Sequence, residues 1–141
     1  MVLYSESEKN TEAIGEKIAR ALPEGSVVIA MYGDLGAGKT AFVRGLSKGL
    51  EVEGHVVSPT FTIVNEFYGK RDLFHFDMYR LGSADELFDI GWDDYIARNG
   101  VCAVEWSENV PEAFDGTEIR VTIEKLSDTK RKITVEGVEL C

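Results

Sequence analysis

The most informative segment of this chain covers residues 27–40 and reads VVIAMYGDLGAGKT. Its first six residues form a nearly continuous apolar run, which is typical of a strand buried on both faces of a parallel sheet. The last eight, residues 33–40, match the pattern G-x-x-x-x-G-K-[S/T] at every fixed position. A helix is predicted to follow over residues 40–50. The segment therefore predicts a strand, a glycine-rich phosphate-binding loop and a helix in direct succession.

Each residue type in the loop has a physical reason to be there. Gly36 and Gly38 let the backbone turn tightly, so that its N–H groups point inward at an anion. The helix N-terminus adds its positive dipole end. Lys39 supplies a charge for the β- and γ-phosphates, and the Thr40 hydroxyl is a ligand for Mg²⁺. The nucleotide-binding residues expected here are Leu35, Gly36, Ala37, Gly38, Lys39 and Thr40.

The flanking segments predict helices and a hairpin. Ser5 begins an S-x-x-E capping signal, and the apolar residues that follow at a four-residue spacing predict an amphipathic helix ending near Pro23. Residues 61–67 and 73–79 are two β-rich runs that predict a hairpin. Ser83 begins a second capping signal, which predicts a short helix.

The second half of the chain is mainly extended. Residues 101–105 read VCAVE and predict a short buried strand, while apolar and polar residues alternate over residues 118–124, with Glu118 on the polar face. Residues 132–135 could close a terminal hairpin. We therefore expect one α/β domain over residues 1–141, with a P-loop NTPase fold: a mixed, mostly parallel sheet, helices on its faces and antiparallel hairpin additions.

The charge balance restricts the partners of this chain. It has 25 acidic and 15 basic residues and a formal net charge of −10. An acidic chain repels the phosphate backbone of RNA and DNA, so we do not expect it to hold nucleic acid by itself. The basic residues 130–132 are an exception, and a solvated hairpin tip is the simpler interpretation of such a run.

Targeting and metal-binding patterns are weak. The two cysteines, Cys102 and Cys141, have no C-x-x-C spacing, which argues against a structural zinc site and favours Cys102 as a core residue. The first ten residues lack the apolar region of a signal peptide, and no apolar run approaches the length of a membrane span. We expect a cytoplasmic protein that contacts no membrane.

The acidic partner of the loop is ambiguous from residue chemistry alone. Asp77 and Glu105 each end a predicted buried strand, and either could hold Mg²⁺ or orient the attacking water. Thr60, in a loop after the predicted helix, could sense the γ-phosphate as switch residues do. His75 is more simply a sheet residue than a base, and Trp106 more simply a packing residue than a nucleotide contact.

The nucleotide expected is ATP. The chain has neither the N-K-x-D element for guanine nor a D-x-x-G element, both of which GTPases carry. Four motifs in order make it resemble the TsaE family, the bacterial ATPases needed for threonylcarbamoyladenosine (t6A) modification of tRNA. The motifs are GDLGAGKT at residues 33–40, SPTF at 58–61, HFDMYRL at 75–81 and VEW at 104–106.

The resemblance assigns separate roles to the two acids, Asp77 and Glu105. It implies that Lys39 binds phosphate, that Thr40 and Glu105 ligate Mg²⁺, and that Asp77 lies near the γ-phosphate and supports hydrolysis. It also implies that the N-terminal segment borders adenine, which makes a second set of ATP-binding candidates. These are Glu8 and Thr11.

The same resemblance implies partners. Family members act with the proteins TsaD and TsaB, and TsaD transfers the threonylcarbamoyl group to adenosine 37 of tRNA. The chain would then meet tRNA only indirectly and hydrolyse ATP slowly when alone. Two other functions stay open. One is a small-molecule kinase, which would need an arginine-bearing lid for which Arg44 and Arg80 are sparse candidates; the other is a nucleotide sensor that does not hydrolyse.

Overall fold

A computed structural model describes residues 1–34, 36–54, 64–81 and 83–139. Seven strands of these ranges share one sheet. They are β1 (Val2–Ser5), β2 (Val27–Tyr32), β3 (Val64–Phe67), β4 (Leu73–Asp77), β5 (Val101–Glu105), β6 (Ile119–Lys125) and β7 (Arg131–Glu136). The α-helices in the same ranges are α1 (Glu8–Ala21), α2 (Lys39–Gly49), α3 (Ala84–Asp89) and α4 (Trp92–Ala97). None of these helices has the length and apolar character needed to cross a bilayer.

The sheet has a parallel centre and antiparallel additions. Its strand order is β1-β7-β6-β2-β5-β4-β3. Neighbours among β6, β2, β5 and β4 pair in parallel, whereas β3 is antiparallel to β4, and β7 is antiparallel to both β6 and β1. Strands β1, β6, β2, β5 and β4 therefore run in one direction, and β3 and β7 run in the other. The predicted mixed, mostly parallel sheet is confirmed, as are the two hairpins.

The central strands are buried on both faces. Along β5, Val101 and Ala103 pack into the core under α1 and α2, while Cys102 and Val104 pack into a second core with α3 and α4. Alternation of side chains along a strand explains why one apolar run serves two cores. Burial also raises the pKa of the Cys102 thiol to about 12, so this residue stays a neutral core residue, as expected.

Helices α1 and α2 touch through glycine. A Cβ atom added at Gly45 would lie 2.0 Å from the carbonyl oxygen of Glu12, and one added at Gly15 would lie 2.3 Å from the carbonyl oxygen of Phe42. The two backbones are thus closer than side chains would allow. This contact fixes α2 against α1, and with it the N-terminus of α2, where the glycine-rich loop ends.

The N-terminus differs from the sequence prediction. Helix α1 begins two residues later than expected, because Ser7 rather than Ser5 is the N-cap and accepts a hydrogen bond from the Asn10 N–H at 3.0 Å. Ser5 ends β1, a strand that the polar N-terminal sequence did not predict. Its hydroxyl lies 2.7 Å from the Thr11 Oγ1 and donates to the Ser7 carbonyl.

The polar face of β6 also has an exception. Glu118, which precedes the strand, is only 7% exposed, although alternation predicts a solvated side chain. Its carboxylate accepts hydrogen bonds from the Gly116 N–H at 2.7 Å and from the Arg120 Nε at 3.0 Å. The remaining pattern holds, since Ile119, Val121 and Ile123 are buried.

Substitution of Gly45 by alanine should destabilise the fold. In an isolated helix the change would be favourable by about 1 kcal/mol. Here the added methyl meets the Glu12 backbone, so the helices must separate, and we expect the free energy of unfolding to fall by about 2 kcal/mol or more. Urea unfolding followed by circular dichroism measures this, with Lys17→Ala on the exposed face of α1 as the control. A Gly45→Ala protein as stable as the parent would contradict the close contact.

Candidate functional site

A cavity of about 530 Å³ opens at the carboxyl ends of β2, β4 and β5, beside the N-terminus of α2. This is the edge at which open α/β sheets bind ligands, and the volume suits a small molecule. The residues around it come from the glycine-rich loop, α1, α2, the ends of β4 and β5 and the β6–β7 hairpin. They are Ser7, Glu8, Thr11, Gly36, Gly38, Lys39, Thr40, Ala41, Arg44, Asp77, Tyr79, Glu105, Trp106, Asp128, Thr129 and Arg131.

The loop between β2 and α2 depends on its glycines. Gly36 and Gly38 have φ angles of +77° and +105°, a region that L side chains rarely adopt. Gly38 is the N-cap of α2, and within the described chain no side chain caps this helix. The first N–H groups of α2 are therefore available to a ligand, and an anion is the ligand that a helix N-terminus favours.

Lys39 is buried at the floor of the cavity. Its Nζ donates to the carbonyl oxygen of Gly33 at 2.5 Å and lies 3.8 Å from the centroid of the Trp106 ring. Burial lowers the pKa of Lys39, and the neighbouring Glu105 carboxylate opposes that change. The ammonium is thus held by one carbonyl and one aromatic face, next to the helix N-terminus.

The two candidate acids are neighbours across a strand pair. Asp77 and Glu105 are register partners at the ends of β4 and β5. The buried His75 makes a hydrogen bond from its Nε2 to Glu105 Oε2, while its Nδ1 has no partner among the described residues. Asp77 is partly exposed, and its Oδ1 accepts from the Tyr79 N–H at 3.0 Å. Burial, and to a lesser extent Glu105, raises the pKa of Asp77.

Trp106 forms one wall of the cavity. It follows Glu105 with a φ of +57°, an uncommon conformation for a non-glycine residue. Its ring contacts the Lys39 ammonium and packs against the Tyr79 ring, with 5.0 Å between the ring centroids and 52° between the ring planes. The residue does pack, as the sequence suggests, but its packing partners belong to the site.

The opposite wall comes from α1 and α2. Glu8 makes an ion pair with Arg44, which links the start of α1 to α2 at the rim of the cavity. Thr11 is buried beneath them, with its Oγ1 next to Ser5 Oγ. Glu8 and Thr11, which the resemblance places next to adenine, thus line the same cavity as Lys39. Their contact with a base stays a prediction.

Arg131 is a site residue that the sequence did not predict. Residues 130–132 were expected to form a solvated tip, and Lys130 is indeed exposed. Arg131, however, turns back to the cavity, where its guanidinium donates to the carbonyl oxygens of Gly36 and Ala37. The sheet topology explains this position, because β6 of this hairpin pairs with β2, the strand that leads into the glycine-rich loop. A charge run alone could not reveal that.

Two predicted site residues lie outside the described residues. They are Leu35 in the glycine-rich loop and Thr60 in the segment over residues 55–63. All but one of the other predicted residues line this cavity: Glu8, Thr11, Gly36, Gly38, Lys39, Thr40, Asp77 and Glu105. The exception, Ala37, lies beside the cavity in the loop.

The sheet topology, the strand–loop–helix unit and the position of its glycine-rich loop define a P-loop NTPase fold. The family model described as Threonylcarbamoyl adenosine biosynthesis protein TsaE matches residues 5–133 of the chain. The chain therefore belongs to the TsaE family.

Curated proteins and a solved structure agree with this family. The chain is 40% identical to the tRNA threonylcarbamoyladenosine biosynthesis protein TsaE of Treponema pallidum, over 96% of the chain and 99% of that protein. It is 41% identical to the protein of the same name from Aquifex aeolicus, over 92% of the chain and 91% of that protein. The crystal structure of Bacillus subtilis YdiB superposes with a TM-score of 0.82 at 31% identity, covering 99% of this chain and 86% of that one.

The contact between His75 and Glu105 should stabilise the fold. In His75→Ala, the Glu105 carboxylate would stay buried without its hydrogen-bond partner, and we expect the free energy of unfolding to fall by about 3 kcal/mol. A double-mutant cycle with Glu105→Ala isolates the pair, because the second change should cost less once the first is made. Chemical unfolding of the four proteins measures the coupling. Strictly additive losses would show that the contact does not contribute.

Proposed function

We propose that this protein binds and hydrolyses ATP with Mg²⁺ and, through this activity, supports t6A modification of tRNA together with TsaD and TsaB. The single observation that carries the proposal is convergence in one cavity. A buried lysine at the start of α2, the Thr40 hydroxyl and two strand-end carboxylates, Asp77 and Glu105, all reach the same 530 Å³ space. Family membership supports the link to tRNA modification.

Phosphate binding in this proposal uses groups that face the cavity. The N-terminus of α2 offers main-chain N–H donors at Gly38, Lys39 and Thr40, and its dipole favours an anion. In this structure the Lys39 ammonium contacts the Gly33 carbonyl and the Trp106 ring. Charged phosphate oxygens would bind the ammonium more strongly than either of these groups. The ring would then remain as an apolar wall that excludes water from the reacting phosphate.

The oxygen groups at this end of the sheet fit Mg²⁺. The ion prefers octahedral oxygen ligands, keeps several waters and takes only one or two protein ligands beside substrate phosphates. Thr40 and Glu105 supply one hydroxyl and one carboxylate within the cavity. His75 holds Glu105 by a hydrogen bond to Oε2, as residues behind metal ligands do. When bound, the ion would neutralise phosphate charge.

Asp77 is the group proposed to support hydrolysis. Its carboxylate lies next to that of Glu105 and is fixed through Oδ1 by the Tyr79 N–H. A carboxylate in this place can orient a water molecule toward the terminal phosphate and so contribute to the attack. The order β2, β5, β4 across the sheet puts Glu105 nearer to the loop strand and Asp77 one strand further away.

The charge of the chain supports an indirect role at tRNA. With a net charge of −10, it has no general attraction for a polyanion. Of its three consecutive basic residues, Arg131 is engaged by main-chain carbonyls of the loop and hairpin. A protein complex that itself holds tRNA is therefore the more suitable partner, and TsaD with TsaB is the proposed one.

Loss of Lys39 or Glu105 should remove hydrolysis. For Lys39→Ala and Glu105→Gln we expect kcat to fall on the order of a hundredfold or more, since removal of one electrostatic contact to a transition state costs about 3 kcal/mol. Glu105→Gln is preferred to alanine because an amide can still bond to His75. Phosphate release gives kcat, and titration calorimetry with Mg²⁺ and a non-hydrolysable ATP analogue gives the affinity.

The matched control for these variants is Lys17→Ala, which removes an exposed lysine of α1 that does not line the cavity. It should leave both quantities unchanged. Full hydrolysis by Lys39→Ala would refute the assignment of the site. Absence of any saturable ATP binding by the parent protein would refute the proposed function itself.

Engagement with TsaD–TsaB should depend on the nucleotide. A ligand can bias a partner interaction only if it has different affinities for the free and engaged protein. We therefore expect the chain to bind the TsaD–TsaB complex most tightly with the ATP analogue and more weakly with ADP or without nucleotide. Surface plasmon resonance under the three conditions measures this. Equal affinities in all three would contradict a role for the nucleotide in assembly.

A further inference from the structure

Arg131 connects two parts of the chain that are almost a hundred residues apart. Its Nε donates to the Ala37 carbonyl at 2.8 Å and its Nη2 to the Gly36 carbonyl at 3.2 Å. Its Nη1 donates to the carbonyl of Ser127 at 2.8 Å and to that of Lys130 at 3.0 Å. The planar guanidinium group therefore donates to the glycine-rich loop on one side and to the hairpin tip on the other.

The bond to the Ala37 carbonyl has a consequence for the next N–H group. In a trans peptide the C=O and the N–H point in opposite directions. The Ala37 carbonyl belongs to the same peptide plane as the Gly38 N–H, so fixing the first fixes the second. The Ala37 N–H is already taken by the Asp34 carbonyl at 3.0 Å. Gly38 is thus the residue whose N–H direction Arg131 controls.

The loop needs such a contact because its own sequence gives it little rigidity. Gly36 and Gly38 flank Ala37, and glycine has more accessible backbone conformations than any other residue. Among the described residues outside its two chain neighbours, a Cβ added at Gly36 would meet no atom within 4 Å, so their packing does not restrain that position. The guanidinium of Arg131 supplies a restraint from outside the loop.

We propose that Arg131 is a positioning residue that orients the peptide between Ala37 and Gly38, so that the Gly38 N–H faces the phosphates of the bound nucleotide. The inference rests on the proposed ATP binding. It assigns to Arg131 an action through the main chain rather than a contact with the nucleotide. It also makes the hairpin tip a support of the phosphate site, since the carbonyls of Ser127 and Lys130 hold the guanidinium in place.

The test uses Arg131→Ala, Arg131→Lys and the control Lys130→Ala in the full chain. Lys130 is the adjacent exposed cation, and its alanine variant removes the same charge but keeps the main-chain carbonyl that accepts from Arg131. Two quantities are measured: ¹⁵N order parameters of the loop amides in the nucleotide-free protein, and the affinity for ADP and for a non-hydrolysable ATP analogue by calorimetry with Mg²⁺.

We expect Arg131→Ala to lower the order parameters at Ala37 and Gly38 from about 0.85, typical of rigid backbone, toward about 0.6. Affinity for both nucleotides should fall roughly tenfold, while Lys130→Ala changes neither quantity. Arg131→Lys should behave like the alanine variant, because one ammonium cannot span the loop and hairpin carbonyls. If Arg131→Ala fails to fold, Arg131→Lys carries the same test.

Three results would overturn the inference. If Arg131→Ala binds nucleotide more weakly but keeps its order parameters, Arg131 contacts the nucleotide directly. If Arg131→Ala has lower order parameters but unchanged affinity, the orientation of the loop does not affect binding. If Arg131→Lys has the affinity and order parameters of the parent protein, charge alone suffices. Failure of the parent protein to bind ATP would instead refute the proposed function. The order parameters of the free protein would still report whether Arg131 holds the loop.

Discussion

The parallel pairing of β2, β5 and β4 determines where the charged groups of the cavity lie. Ala30 pairs with Val104, and one strand further Asp77 pairs with Glu105. These strands are buried on both faces, so a shift by one residue would move apolar side chains from one core to the other. The register is therefore fixed by burial, and the two carboxylates are brought side by side at the strand ends as a consequence.

Glycine serves two opposite purposes around this arrangement. Between α1 and α2, Gly15 and Gly45 allow backbone contact and so make the position of α2 rigid. In the loop, Gly36 and Gly38 permit the positive φ angles on which the proposed phosphate binding depends, at the expense of rigidity. The fold combines rigidity and flexibility: α1 packs against α2, and the β6–β7 hairpin contacts the glycine-rich loop.

The fold was largely predictable, because its signals are local. The apolar run of β2 was predicted with the bounds that the structure has, and the loop after it could be recognised from its motif. The strand β1 could not, since its stability comes from pairing with β7 across the length of the chain. The same holds in the site. Lys39 and Thr40 follow from spacing, whereas Arg131 and the contact of Trp106 with Lys39 depend on strands that meet only in the folded sheet.

The composition of the cavity also supports the proposal that a divalent cation accompanies the nucleotide. The cavity lining carries four carboxylates and three cations, so acidic groups are in excess. Arg44 is paired with Glu8, which leaves the Lys39 ammonium as the cation next to Asp77 and Glu105. A triphosphate placed beside them would meet like charges at short range, and the low dielectric of a buried site strengthens that repulsion. A divalent cation held by these groups would offset the repulsion. Under the proposed function, the two acids that disfavour a polyphosphate alone would thus favour its magnesium complex.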